Sequence, residues 1–393
     1  MKTALTKTPD YFILSELVFR SPVSCYNKNI SPQFIKSLLS DKLFLEAIYL
    51  ASPVLYHQSI KLQSGKIDTQ KQEIKILASL TRYYLRMCTR ATPFGLFAGC
   101  GIAKWDKQTD SQKQKKITRH TRMDMYFLCK LATCLLKIPD IRNAVMFSPN
   151  NTGYRVGNEW RYIEYVYEQD VRKYQLSSIV MDESIQNIFT NVTNGKSLTQ
   201  LTELFKTSGI PQTEIKQYLD ELVNNQVLVS ELEPQITGNG YLEQMIEVLE
   251  KYQTNNIPEI NQVINTLNIL KKKLALLDMK TINNIEAYAD IITLLSSFSI
   301  DIHESKLFQV DTFFKEDKAE TVSIKIKQQI EESIGILSVL TEPRPNKNLL
   351  QFIEQYKNRY EEKQMPLVQV LDQEYGIGYH KVLEIDDTAL ISN

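Results

Sequence analysis

A helix with arginines at every fourth position runs directly into a proline–glycine turn in residues 68–101. Apolar residues recur at helical spacing in this segment, and the helix must end before Pro93, because the residue preceding proline is disfavoured in the α region. Arg82, Arg86 and Arg90 therefore lie on one face of the helix. The residues that follow, FGLFAGCGIAKW, predict a turn into a buried strand.

The remainder of this helix is largely apolar, so the arginines lie on a helix that we expect to be otherwise buried. A buried guanidinium needs a partner, because desolvating an unpaired charge costs on the order of several kcal/mol. One interpretation is that the arginines pair with internal carboxylates or face water. The turn beginning at Thr92 favours a second interpretation, in which the arginines bind an anion. A hydroxyl and backbone N–H groups beside guanidinium groups can hold a carboxylate or a phosphate.

Two aspartates are further candidates for functional residues. Asp124 begins the helix RMDMYFLCKL, where a lone aspartate is usually only an N-cap. Asp311 lies inside the apolar strand KLFQVDTFF, where an ionised carboxylate needs a partner. An internal arginine is an obvious partner, so Asp311 is interpreted as structural, catalytic or both.

Charge and composition narrow the class of protein. The 46 basic and 46 acidic residues cancel, so the field of the whole molecule does not indicate a nucleic-acid partner, although a local basic patch remains compatible. No signal-peptide pattern and no run of about 18 apolar residues is present. Cys129 and Cys134 lack metal-ligand spacing, and the histidines lie far apart. We therefore predict a cytoplasmic protein with no metal site, no bound cofactor and no membrane span.

The middle of the chain has the element order of a winged-helix-like module. Strands in GYRVGNEWRYIEYVYEQDVRKYQLSSIV are followed by three short helical patterns and the strand QVLVSEL. We predict an α+β, multi-subdomain fold in three parts: an N-terminal α+β part in residues 1–150, the winged-helix-like module in 151–235, and a helical and α+β continuation in 236–393.

A winged helix by itself suggests DNA binding. The third helix of this module, PQTEIKQYLDELVNN, carries Glu214, Asp220 and Glu221 against Lys216 alone. This face would repel phosphate, so a DNA-binding regulator is disfavoured.

Several segments together resemble one enzyme family. The segment LRMCTRATPFGLFAGCG resembles the signature near the start of class I lantibiotic (lanthipeptide) dehydratases. The similarity continues in TRMDMYFL, LVNNQVLVSELEP, FQVDTFF and MPLVQVLDQEYGIGY, and so spans essentially the whole chain. Known members use glutamyl-tRNA to glutamylate serine and threonine of a ribosomal precursor peptide. A second domain then eliminates glutamate, leaving dehydroalanine or dehydrobutyrine. The resemblance implies glutamyl-tRNA as co-substrate.

The resemblance also implies site residues. It gives five catalytic candidates: Arg86, Arg90, Thr92, Asp124 and Asp311. We interpret Arg82, Arg86 and Arg90 as tRNA-binding residues. The individual roles stay open. The arginines bind either the acceptor-end phosphates of the tRNA or the glutamyl carboxylate, and Thr92 positions one of these groups. An aspartate either orients the arginines or takes the serine proton.

In the family, the module matching the winged helix binds the leader of the precursor peptide. The usual mode is strand addition, with main-chain hydrogen bonds and apolar pockets. We expect the leader along the third strand, against the third helix. The peptide-binding candidates are Tyr174, Leu176, Ile179, Tyr218 and Leu222. The alternative is that these residues belong to the core, and for Leu222 we favour that interpretation.

Family members are considerably longer than this chain. We therefore expect it to hold the N-terminal part of the glutamylation domain, with an elimination-domain protein and a cyclase as partners and a homodimer as a further possibility. The leading hypothesis is tRNA-dependent peptide glutamylation. The alternative is a catalytically incomplete peptide-binding module that recruits a precursor peptide to partner enzymes.

Overall fold

The computed structural model describes most of the chain. The described ranges are 11–110, 116–169, 171–192, 194–206, 209–235, 237–253, 257–315, 320–341 and 346–379. Within them, runs of helices and runs of strands follow one another, so the predicted mixture of α and β structure is confirmed. No helix in these ranges is both long enough and apolar enough to cross a membrane.

The elements follow one another in chain order as follows. The strands are β1 (Glu16–Pro22), β2 (Ala98–Asp106), β3 (Lys116–Met123), β4 (Phe147–Pro149), β5 (Tyr154–Val156), β6 (Glu159–Glu168), β7 (Val171–Val180), β8 (Leu228–Ser230), β9 (Phe308–Lys315) and β10 (Glu320–Ser323). The helices are α1 (Pro32–Ser37), α2 (Lys42–Ala51), α3 (Pro53–Gln63), α4 (Gln70–Thr89), α5 (Met125–Leu135), α6 (Pro139–Ala144), α7 (Glu183–Asn191), α8 (Leu198–Glu203), α9 (Gln212–Asn224), α10 (Tyr241–Glu250), α11 (Pro258–Asp278), α12 (Ile285–Leu295), α13 (Ile324–Leu340), α14 (Lys347–Tyr360) and α15 (Leu367–Leu371).

The chain divides into two compact units. The first unit comprises Met1–Ala144 and Leu232–Ser338, and the second comprises Val145–Glu231 and Val339–Asn393. The sequence-based division at residues 150 and 235 stays a prediction.

A five-stranded sheet forms the framework of the first unit. Its order is β1-β2-β9-β3, with β10 also paired to β2. β1 runs antiparallel to β2, and β3 runs antiparallel to β9, with His120 directly opposite Asp311. Apolar side chains from α1 to α4 pack against one face of this sheet and form a core that includes Phe44, Ile48 and Leu80. Alternate residues of β3 and β9 therefore point away from this core.

Helix α4 places Arg82 and Arg86 on one face, but it ends at Thr89, so Arg90, expected on the same helix, is its C-cap in an extended conformation. Its buried residues Ile76, Leu80, Tyr84 and Met87 recur at steps of three or four and pack into the core. The hydroxyl of Thr69 accepts a hydrogen bond from the N–H of Gln72 and caps the helix. The arginine positions fall outside this apolar stripe.

The second unit contains two small sheets. β5, β6 and β7 form an antiparallel sheet in that order, and β4 pairs with β8. Tyr162, Ile188, Leu201 and Leu219 are buried in this unit. The strands, three helices and final strand expected in this part of the sequence are all present, with α7, α8 and α9 between β7 and β8.

Candidate functional site

The three predicted arginines line a single groove. Arg82, Arg86 and Arg90 of the α4 segment face α3 across a space of about 800 Å³. The remaining residues that line this groove are all neutral. We name it the arginine groove.

No carboxylate among the described residues pairs with these guanidinium groups. Arg82 donates a hydrogen bond to the Ser79 hydroxyl at 3.1 Å, and the Arg86 guanidinium lies 4.3 Å from the centre of the Phe94 ring. Arg82 and Arg90 are exposed, and Arg86 is half-buried. Of the interpretations left open by the sequence, pairing with internal carboxylates is therefore wrong within the described residues. The groove has an unneutralised positive charge and is suited to an anion.

A second cavity adjoins the turn that follows the arginines. Phe94, Gly95, Asp124 and Asp311 are among the residues that line this space of about 320 Å³, which we name the turn cavity. Gly95 has φ +50°, in the left-handed region that favours glycine. Because Arg86 contacts the Phe94 ring, this aromatic side chain connects the arginine groove with the turn cavity.

Two backbone N–H groups of the turn already donate hydrogen bonds to carbonyl groups of the protein. The N–H of Phe94 donates to the carbonyl of Ala98, and the N–H of Phe97 donates to the carbonyl of Phe94. These two groups are therefore not open to an anion, contrary to the expectation of freely available N–H groups. Thr92 is exposed in the same turn.

Asp124 and Asp311, distant in sequence, line the same cavity. Asp124 is the N-cap of α5, as predicted, and accepts a hydrogen bond from the N–H of Tyr126 at 2.8 Å. Asp311 lies on β9, and its carboxylate is 3.1 Å from Arg122 Nη2. The expected arginine partner of Asp311 thus comes from β3 rather than from α4. Both carboxylates are half-buried and reach the turn cavity.

The peptide-binding candidates lie in the second unit. Tyr174 and Leu176 point from the same face of β7 and are 66% and 45% exposed, whereas Ile179 points from the opposite face and is half-buried. β7 pairs only with β6 among the described strands, so its other edge is open. On α9, Tyr218 is half-buried and Leu222 is 6% exposed, which places Leu222 in the core.

Sequence reasoning missed a buried ionic network beside the turn cavity. The side chains of Glu46 on α2 and Arg119 on β3 are completely buried and joined at 2.6 Å. Tyr288 of α12 donates to Glu46 at 2.7 Å and accepts from Arg119 at 2.6 Å. Burial is the main cause that raises the pKa of the Tyr288 hydroxyl far above its ordinary value. The sequence did contain a signal for this network, because Glu46 lies at a core-facing position of the apolar helix KLFLEAIYLA.

Comparison with known proteins identifies similar chains. A family model described as lantibiotic dehydratase, N terminus, matches residues 40–386. The chain is 25% identical over 390 residues to the subtilin biosynthesis protein SpaB of Bacillus subtilis, with 96% of this chain and 36% of SpaB covered. It is 23% identical over 384 residues to the nisin biosynthesis protein NisB of Lactococcus lactis subsp. lactis, with 93% and 36% covered. The chain thus spans about a third of the length of the curated relatives it matches.

Solved structures with a similar fold agree with this result. The crystal structure of the tRNA-dependent lantibiotic dehydratase MibB from Microbispora sp. 107891 matches with a TM-score of 0.77 and 20% identity, covering 93% of this chain and 35% of MibB. The glutamylation domain TbtB from thiomuracin biosynthesis, bound to 5'-phosphodesmethylglutamycin, matches with a TM-score of 0.53 and 12% identity, covering 86% of this chain and 41% of that chain. At these identities the likeness concerns the fold.

Proposed function

The chain belongs to the lantibiotic dehydratase family, whose N-terminal region it represents, and on this premise we propose that it takes part in glutamyl-tRNA-dependent glutamylation of a precursor peptide. Serine and threonine side chains of a ribosomal peptide are the acceptors. Glutamylation is then the first step of dehydration to dehydroalanine or dehydrobutyrine, and the reaction takes place in the cytoplasm, where charged tRNA is available.

The observation that carries this proposal is the arginine groove. Three guanidinium groups that have no carboxylate partner among the described residues line it, and Arg86 connects it through Phe94 to the turn cavity. Phosphates of the tRNA acceptor end fit a groove of this charge. We assign Arg82, Arg86 and Arg90 to tRNA binding.

The turn cavity is suited to the acyl-transfer step. Transfer from an aminoacyl ester requires the two reactants to be oriented and the developing oxyanion to be stabilised, and needs little covalent participation by the protein. Arg86 and Arg90 line the arginine groove, and Asp124 and Asp311 line the turn cavity. Thr92 lines neither space but is exposed in the turn between Arg90 and Phe94. We propose these five residues as the transfer site. Because Asp311 is paired with Arg122 and Asp124 caps α5, both carboxylates are already fixed in position.

We further propose that residues 151–235 form a winged-helix-like module that binds the leader of the precursor peptide. The open edge of β7 offers main-chain groups for an added strand, and Tyr174 and Leu176 present apolar surface beside it. Ile179 and Tyr218 remain candidates for more limited contacts. The exposed Glu214 and Glu221 on α9 disfavour DNA as the partner of this module.

The same open edge favours the alternative function. A chain that binds the leader without transferring glutamate would recruit a precursor peptide to partner enzymes, among them an elimination-domain protein and a cyclase. A homodimer is compatible with either function. The two functions differ in whether this chain binds tRNA.

Binding of glutamate tRNA to the chain is expected to depend on the arginine groove. In a gel-shift assay across a salt series, Arg86→Ala/Arg90→Ala should weaken binding about tenfold or more and reduce the salt slope by roughly 1.4–1.8, the value for two lost phosphate contacts. The control is Arg20→Ala/Arg155→Ala, which removes two arginines outside the groove. Circular dichroism verifies that each variant is folded.

Two results would contradict the tRNA proposal. Equal weakening by both double variants would mean that binding follows net charge and not the groove. Absence of binding by a folded wild-type chain would leave peptide recruitment as the function.

Leader binding should depend on one face of β7. In a fluorescence anisotropy titration with a fluorescein-labelled leader peptide, Tyr174→Ala/Leu176→Ala is expected to weaken binding about tenfold, because both exposed apolar contacts are lost. Val171→Ala is the control, since Val171 is exposed on the opposite face of the same strand. An equal effect of the two variants would refute the assignment of this face.

A further inference from the structure

A third cavity opens at the free edge of β3 in the first unit. Its volume is about 540 Å³, and we name it the β3-edge cavity. β3 is an outer strand of the sheet and has only β9 as a strand partner among the described residues. The residues that matter for its chemistry are His120, Thr121, Arg122, Glu243, Lys271 and Asp278.

Every basic side chain that lines this cavity faces a carboxylate. His120 Nδ1 is 3.7 Å from Asp278 Oδ2, and Lys271 Nζ is 3.8 Å from Glu243 Oε1. Arg122 is paired with Asp311, as described above. Within the wall, Arg122 and Lys271 are matched in number by Glu243 and Asp278, in contrast to the arginine groove. A cavity with this charge distribution suits a neutral polar ligand better than a phosphate chain.

One buried polar group in the wall has no partner. Thr121 is 3% exposed, and its hydroxyl makes no hydrogen bond to any described residue. Its backbone N–H, by contrast, donates to Asp278 Oδ1 at 2.8 Å. Because Thr121 follows His120 in β3, its side chain projects from the opposite, buried face of the strand, so this hydroxyl is not placed to bond a ligand held at His120.

The β3-edge cavity meets the turn cavity at the β3–β9 pair. Gln309 lines both cavities. His120 lies directly opposite Asp311, so their side chains project from the same face of the sheet. Asp311 itself lines the turn cavity. A ligand in the β3-edge cavity is therefore adjacent to the proposed transfer site.

We infer that the β3-edge cavity receives the serine- or threonine-bearing segment of the acceptor peptide, with His120 as the proton acceptor and Asp278 as its positioning residue. This inference rests on the proposed glutamylation. The serine oxygen forms a bond to the glutamyl carbonyl carbon, and the ester bond between that carbon and the terminal ribose oxygen of the tRNA breaks. The hydroxyl proton passes to His120 and then to the departing ribose oxygen, so atoms and charge balance.

Histidine footprinting tests the location independently of catalysis. The full chain is treated with diethyl pyrocarbonate, with or without the capped peptides GASAG or GAAAG, and modification is read for each histidine by mass spectrometry. GASAG is expected to slow modification of His120 at least threefold, and GAAAG to do so less. His57 and His303, with side chains 61% and 39% exposed, serve as internal controls.

Thr121→Val supplies a matched control, because the Thr121 side chain projects from the face of β3 opposite to His120. Protection by GASAG should be unchanged in this variant. Unchanged modification of His120 in the presence of GASAG, or equal protection by GASAG and GAAAG, overturns the cavity assignment.

Glutamyl transfer tests the role of His120. His120→Ala should lower the rate of transfer from glutamyl-tRNA to a serine peptide about 100-fold, with little change in KM for the peptide. Added imidazole should restore part of the rate, which it would not do if the histidine were only structural. Absence of rescue in a folded variant refutes the proton-acceptor role.

The two proposals fail separately. If the chain binds glutamate tRNA but GASAG leaves His120 unprotected, glutamylation stands and the acceptor cavity is wrong. If GASAG protects His120 but the chain binds no tRNA, the cavity binds hydroxyl-bearing peptides and the glutamylation proposal is wrong. The transfer step assigned to His120 is then wrong as well.

Discussion

Replacing Glu46 with alanine is expected to lower the free energy of unfolding of the first unit by about 3–5 kcal/mol, because it leaves Arg119 as an uncompensated buried charge. The carboxylate of Glu46 accepts hydrogen bonds from Arg119, from Tyr288 and from the backbone N–H of Asn283 at 2.9 Å. One carboxylate thus joins α2, β3 and the segment that leads into α12. Chemical denaturation, followed by far-ultraviolet circular dichroism, measures the loss.

A surface glutamate provides the matched control. Glu73 forms an ion pair with Lys36 at 2.6 Å, but both side chains are substantially exposed. Glu73→Ala should therefore cost no more than about 1 kcal/mol. The double variant Glu46→Met/Arg119→Met should be more stable than Glu46→Ala, since it removes both buried charges. Equal stability of Glu46→Ala and Glu73→Ala would show that the buried pair does not hold these elements together.

The second unit is expected to lose about 1–3 kcal/mol on replacement of Asp372 with alanine, because the Tyr154 hydroxyl and two backbone N–H groups lose a buried acceptor. Arg161 then keeps its carboxylate partners Glu159 and Glu374, which are more exposed than Asp372. The Asp372 side chain is completely buried, 3.1 Å from Arg161 and 2.7 Å from the Tyr154 hydroxyl. Its other oxygen accepts the backbone N–H groups of Glu374 and Tyr375, both at 2.9 Å. Hydrogen exchange at these two amides measures the local loss of stability. Asp372→Asn is the control that retains an oxygen acceptor.

This stabilisation depends on pH in a defined direction. Burial acts to raise the pKa of the Asp372 carboxyl, but the hydrogen bonds from Tyr154 and from two backbone N–H groups, together with Arg161, lower it below its ordinary value. A carboxyl whose pKa is lower in the folded state stabilises the protein above its unfolded pKa of about 3.9 and loses that effect as pH falls through the folded pKa. The stability difference between wild type and Asp372→Asn should therefore narrow in acid. A constant difference from pH 7 to pH 2 would contradict the assignment.

The main local elements of both units could be predicted from the sequence. The arginine-bearing helix, the turn after it, the aspartate cap at α5 and the strand around Asp311 are all observed. Each depends on interactions within a few residues: helical periodicity, a side chain that caps the N–H groups beside it, and the restriction that proline imposes on the preceding residue. The strand that carries Tyr174 and Leu176 was likewise predicted from its aromatic and β-branched residues.

The partners of the charged residues could not be predicted in this way. Asp311 was expected to need an arginine, but the sequence offered several, and the β3–β9 pair placed Arg122 beside it. Glu46 and Arg119 are 73 positions apart, and Arg119 and Tyr288 are 169 apart. No local pattern relates residues at such separations, so the buried network and the His120–Asp278 pair were both missed.

The sequence by itself therefore determined the main secondary-structure elements, the face of α4 that carries Arg82 and Arg86, and membership of the dehydratase family, which the family model confirms. The segment MPLVQVLDQEYGIGY was expected to be extended, but Leu367–Leu371 form α15. Only the tertiary structure decided that these arginines line one groove, that Asp124 and Asp311 share a cavity, and that β7 has an open edge. In the part of the chain that the structure describes, no carboxylate lines the groove and no second strand pairs with β7. The physical reason is the range of the interactions involved. Helix faces, caps and turns follow from neighbours along the chain, whereas cavities and ion pairs depend on which distant strands and helices pack together.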